Sequence, residues 1–156
     1  MGIEKLNIDL IGRLLERILS FNILFNDYIL STKNIQKNNN PVKVTEYDFV
    51  FVSDIKNRWM FIRIEDFFTY QKLIIWINQI NDKKPINFDV LSYFLSELDL
   101  KNIKQKMIFK AKSEIELEKI IESIFEFIVN NSDEKLKGIF EGKIWIDTPF
   151  DWGDYK

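Results

Sequence analysis

Apolar residues recur every three or four positions at the start of the chain. Leu6, Leu10, Leu14 and Ile18, flanked by Ile11, Leu15 and Leu19, form one stripe, and Arg13, Glu16 and Arg17 lie opposite it. That period predicts an amphipathic helix to Ser20, within a segment from Ile3 to about Leu30. Beyond Ser20, the run Phe21, Ile23, Leu24, Phe25 and Tyr28 fits either a continued helix or an extended piece. Gly12 weakens the helix by about 1 kcal/mol relative to Ala and suggests close packing there. Residues 33–45, with Asn38-Asn39-Asn40-Pro41, read as a surface loop.

A change of period follows. Tyr47 to Val52 and Trp59 to Ile64 are rich in β-branched and aromatic residues, and Asp54-Ile55-Lys56-Asn57 separates them. This predicts a β-hairpin over about 47–64. Met60, Ile62 and Ile64 share one face of its second strand; Trp59 and Phe61 share the other, which turns polar at Arg63 and Glu65. Asp66 then reads as the N-cap of a helix from Phe67 to about Ile80, with a strand as the competing assignment because the run is rich in Ile and Trp. A short helix from Asn87 to Leu98 is expected next. From Lys104 to Lys112 lysines alternate with Gln105, Met107, Phe109 and Ala111, which predicts a half-exposed strand protected at its edge by charge.

Ser113-Glu114-Ile115-Glu116 has the form of a capping box. The helix it opens places Leu117, Ile120, Ile121, Ile124 and Ile128 on one stripe and ends at Asn130-Asn131-Ser132. A shorter helix starting at Asp133 and a short strand over 143–146 are expected after it. The chain as a whole reads as α+β. It is a single helix-rich domain over 1–156, with a small antiparallel sheet (hairpin about 47–64, strand about 104–112) packed on amphipathic helices.

Composition removes whole classes of chemistry. The 156 residues include no Cys and no His, and the formal net charge is −2. Structural zinc, cysteine nucleophiles and Ser-His-Asp arrangements are therefore excluded. No side chain has an ordinary pKa near 7, so acid–base catalysis would need a shifted carboxylate or lysine. No Gly-rich phosphate loop is present. No metal or other cofactor is expected, and the chain reads as a non-enzyme. Asp48, Asp54 and Glu65 are the carboxylates an enzymatic alternative would use. No apolar run is long enough to span a membrane, and no signal sequence or lipidation motif is recognisable, so a cytoplasmic protein is expected. Ala111 is the only alanine among many Ile, Lys and Asn, which points to an AT-rich bacterial or phage gene.

Charge is unevenly placed. Residues 1–112 carry 17 basic against 13 acidic side chains; residues 113–156 carry 5 against 11. Within the acidic part, Glu114, Glu118, Glu122 and Glu126 recur every four residues as a ridge beside the apolar stripe. Like charges at that spacing cost about 0.2–0.5 kcal/mol per pair, so the ridge is either a solvated face or a site awaiting a basic partner. An acidic, aromatic tail over 147–156 contributes Asp151, Trp152, Asp154 and Tyr155 as further contact candidates. Lys101, Lys104, Lys106, Lys110 and Lys112, with Arg58, Arg63, Trp59 and Phe61, resemble a single-strand nucleic-acid platform, but a charged edge strand explains them more simply, and no nucleic-acid partner is expected.

These features favour a protein-binding protein. Its most concrete form is a bacterial immunity or antitoxin-type protein that neutralises a basic toxin through an acidic aromatic surface. The alternatives are a phage or mobile-element accessory protein that inhibits a host factor, and a carboxylate-dependent enzyme.

Overall fold

A computed structural model describes residues 6–39, 42–80 and 96–145. Among them are four helices and five strands: α1 (Ile8–Ser20), β1 (Ile29–Asn38), β2 (Val44–Ser53), β3 (Arg58–Asp66), β4 (Gln71–Gln79), α2 (Glu97–Lys106), β5 (Ile108–Phe109), α3 (Glu114–Asn131) and α4 (Glu134–Glu141). The strands form one antiparallel sheet in the order β1-β2-β3-β4-β5. The α+β architecture read from the sequence is the architecture observed.

The sheet alternates cleanly. Tyr47, Phe49 and Phe51 of β2, Met60, Ile62 and Ile64 of β3, and Leu73, Ile75 and Ile77 of β4 are all buried on one face. That face joins the apolar stripes of α1, α3 and α4 in one continuous core. Phe25, in the turn after α1, lies at its centre, edge-on to Tyr28, Phe125 and Phe140 at centroid distances of 5.9, 5.5 and 4.9 Å. Burying one such ring contributes roughly 1.5–3 kcal/mol.

Capping follows local chemistry. Asn7 Oδ1 accepts Leu10 N at 2.8 Å, Ser113 Oγ accepts Glu116 N at 3.1 Å, and Asp133 Oδ1 accepts Leu136 N at 2.8 Å. Each satisfies an amide that the first helical turn leaves open. α4 ends on Gly142 at φ 82°, where an added Cβ would lie 2.4 Å from the Lys56 carbonyl oxygen. Only glycine fits that approach. At Gly12 an added Cβ would meet the Phe49 ring at 3.5 Å, an ordinary contact, so packing does not require glycine there.

Four expectations are corrected. Residues 33–38 are exposed, as expected, but they belong to strand β1 rather than to a loop. Residues 71–79 form strand β4 instead of a helix. Asp66 caps a turn: its Oδ1 accepts Phe68 N at 2.9 Å and Gln71 Nε2 at 3.1 Å, while Phe67 N donates to Tyr70 O at 3.0 Å. β-Branched Ile74, Ile75 and Ile77 then gain more by pairing with β3 than a helix would return.

Residues 104–106 belong to helix α2, and β5 spans only two residues, so the strand over 104–112 is mostly absent. Ile103 and Met107 are buried one helical turn apart, the first within α2 and the second at its C-cap, a helical spacing hidden inside an alternating pattern. Residues 143–145 show no strand. The helix expected over 87–98 lies outside the described residues up to position 95. Ser96 caps the separate helix α2, its Oγ accepting Asp99 N at 3.2 Å. The tail 147–156 also lies outside the described residues.

Candidate functional site

α1 and α3 pack side by side against the sheet and leave a groove where α1 ends. Its volume is about 200 Å³, and Arg17, Phe21, Glu118, Glu122, Phe125 and Glu126 are among its lining residues. Helical periodicity places the three glutamates on one flank. Leu117, Ile121, Ile124 and Ile128 face the core, which turns Glu118, Glu122 and Glu126 outward together. On the other side α1 stops at Ser20. Phe21 then projects from the core at 85% exposure, and Ile23 beside it is 87% exposed. Asn22 Oδ1 accepts Leu24 N at 2.9 Å and so holds the turn that presents both residues.

Electrostatically the groove is unbalanced. Arg17 Nε donates to Glu118 Oε1 at 3.0 Å, and its Nη2 donates to Glu118 Oε2, a two-point pairing that joins the helices. Glu122 and Glu126 are exposed and form no hydrogen bond or ion pair with a described residue. The groove therefore presents two uncompensated carboxylates beside an exposed aromatic ring.

Of the residues singled out in the sequence, the fold brings Glu118, Glu122 and Glu126 together. Glu114, in the exposed first turn of α3, does not line the groove. Asp151, Trp152, Asp154 and Tyr155 lie outside the described residues. Arg17, Phe21 and Phe125 escaped the sequence reading. Phe21 continues the spacing of Leu14 and Ile18, so its pattern resembles core. Its exposure follows from the helix ending at Ser20, the end the pattern predicts, whereas the course of the chain beyond Ser20 was left open between helix and extended backbone.

A second set of carboxylates lies on the sheet face away from the helices. Arg63 Nε and Nη2 donate to Asp48 at 2.7 and 3.1 Å, and Nη1 lies 3.0 Å from Glu46 Oε2. The hydrogen bonds it donates to Asp48, and the charge of the surrounding carboxylates, hold the Arg63 guanidinium above its ordinary pKa. Its plane lies 5.3 Å from the Phe61 ring centroid and 5.9 Å from that of Trp76, and these two rings stack at 5.1 Å. Burial pushes the Glu65 carboxyl up from 4.5, a shift opposed by Lys72. Neither Asp48, Asp54 nor Glu65 lines the α1–α3 groove.

The basic residues divide by role. Arg58 is buried: its Nε donates to Ile139 O at 2.8 Å, its Nη2 to Ile144 O at 2.7 Å, and its guanidinium covers the Trp145 ring at 4.7 Å. It satisfies carbonyls at the end of α4 and is not available to a partner. Lys101 and Lys104 line a shallow groove of about 470 Å³ with Leu100 and Ile108 on the α2 side. Lys106 lies over the Phe127 ring at 5.7 Å. Arg58 and Arg63 are thus both engaged internally.

Among the described residues no helix is long and apolar enough to cross a membrane, and no group of three or more acidic side chains is placed to hold a metal ion. Compared with protein-family models, with curated proteins and with solved structures, the chain matches none of them.

Proposed function

We propose that the protein is a non-catalytic binding protein that recognises a basic protein partner through the groove between α1 and α3. The observation that carries this reading is the placement of Glu122 and Glu126, unpaired among the described residues, beside the exposed ring of Phe21. A lysine or arginine entering the groove gains two carboxylates, while Phe21 and Ile23 supply apolar contact. Uncompensated charge of one sign also speeds encounter with an oppositely charged surface. In its most concrete form the protein is a cytoplasmic bacterial immunity or antitoxin-type protein, and the partner is a basic toxin.

The test is affinity capture with an N-terminally tagged chain from lysate of its source, followed by titration of the isolated partner. Glu118 already holds Arg17, so the informative variant is Glu122→Lys with Glu126→Lys. It is expected to weaken binding by roughly 100-fold, in the range of a truncated interfacial charge pair, and to leave thermal unfolding unchanged. Wild-type affinity in that variant would remove the groove from the interface.

A further inference from the structure

The two ends of the sheet are finished differently. At one end β5 pairs with Gln71 and Lys72, Leu73 N donates to Met107 O at 2.8 Å, and Gln71 Oε1 accepts Ala111 N at 3.0 Å. At the other end β1 pairs, among the described residues, only with β2, and every residue from Ser31 to Lys37 is exposed. A register irregularity falls between Leu30 and Thr32, after which pairing with β2 is regular to Asn38. An unprotected edge of that length is a template for another strand.

We infer that β1 pairs with β1 of a second copy of this chain, antiparallel and about a two-fold axis through Asn34, joining the two sheets into one. Pairing about a two-fold normal to the sheet places residues of the same face opposite each other and keeps the helices of both copies on one side. The outer face of β1 carries Thr32, Asn34 and Gln36, opposite Val50, Asp48 and Glu46 of β2. The helix-side face carries Lys33, Ile35 and Lys37, opposite Phe49, Tyr47 and Thr45.

Charge selects the axis. Centred on Lys33, the pairing opposes Lys33 to itself; centred on Ile35, it opposes Lys33 to Lys37. Centred on Asn34, it opposes Asn34 to Asn34, Thr32 to Gln36, Lys33 to Ile35 and Ser31 to Lys37. No like charges are then directly opposite, and neutral amides and hydroxyls able to hydrogen-bond line the outer face. A centre at Thr32 would run into the irregularity, and one at Gln36 would shorten the paired stretch. Lys33 is also drawn toward α1, where its Nζ lies 2.5 Å from Asp9 Oδ1. One of the two lysines that would otherwise protect the edge is thus drawn toward the helix.

The test is sedimentation equilibrium of the full chain from micromolar to millimolar concentration. The mass is expected to rise from 18.8 kDa toward twice that value. Asn34→Lys should hold it at the monomer over the same range with an unchanged circular dichroism spectrum. Because the chain has no cysteine, Asn34→Cys reports the axis directly. Mild oxidation should link it into a dimer about ten times faster than Thr32→Cys or Ile35→Cys, whose own copies lie out of disulfide reach in this register. A monomer at every concentration, a dimer indifferent to Asn34→Lys, or equal cross-linking of the three cysteine variants would each overturn the inference.

Discussion

The α1–α3 groove and the outer sheet face each gather three carboxylates around one arginine, yet they differ in what the arginine does. On the sheet, Arg63 serves both Asp48 and Glu46, and all three side chains are largely shielded from water. In the groove, Arg17 serves Glu118 alone, is 53% exposed, and leaves Glu122 and Glu126 without a described partner. The first cluster is closed on itself and holds β2 to β3. The second is open. Counting charges does not separate the two; asking which charges are already satisfied does.

The comparison breaks most sharply at the two arginines. Arg63→Met leaves Asp48 and Glu46 facing each other in a partly buried site, and roughly 3 kcal/mol of stability should be lost at pH 7. Urea unfolding measures it. Arg17→Ala should cost less than about 1 kcal/mol in the same assay, because its pair is solvated. Equal losses would mean that the groove pair is as structural as the sheet pair.

Glu65→Gln sharpens the sheet side. The folded pKa of Glu65 is raised above 4.5, so burial favours the protonated form. Its contribution to stability is therefore present below about pH 4.5 and lost as pH rises through the folded value. Glu65→Gln should unfold at higher urea than wild type at pH 7 and with it at pH 3. An unchanged midpoint at both would show that Lys72 offsets the burial.

The smallest effect is expected at the open carboxylates. Glu122→Gln with Glu126→Gln should stay within about 0.5 kcal/mol of wild-type stability, since neither residue has an ion pair among the described residues to lose. A larger loss would place the ridge in the fold rather than in recognition.

Local pattern determined a good deal of this molecule. The stripe from Leu10 to Leu19, the hairpin around Asp54–Asn57, and the Ser113 cap with its stripe from Leu117 to Ile128 were legible because each rests on neighbours within a few residues. The glutamate ridge was legible for the same reason. Where two local readings had similar strength, distant partners decided. Residues 71–79 became a strand because β3 lay ready to pair, and Asp66 became a turn cap once the chain reversed. Residues 103–106 stayed helical because the core took Ile103 and, at the helix end one turn later, Met107.

Tertiary structure alone decided which charges remain open. Arg63 lies fifteen residues from Asp48, and Arg17 is 101 residues from Glu118. The exposure of Phe21 depends on where α1 stops relative to α3. Sequence determines what each segment prefers by itself; satisfaction of a charge and exposure of a ring are relations between segments, and only packing sets them.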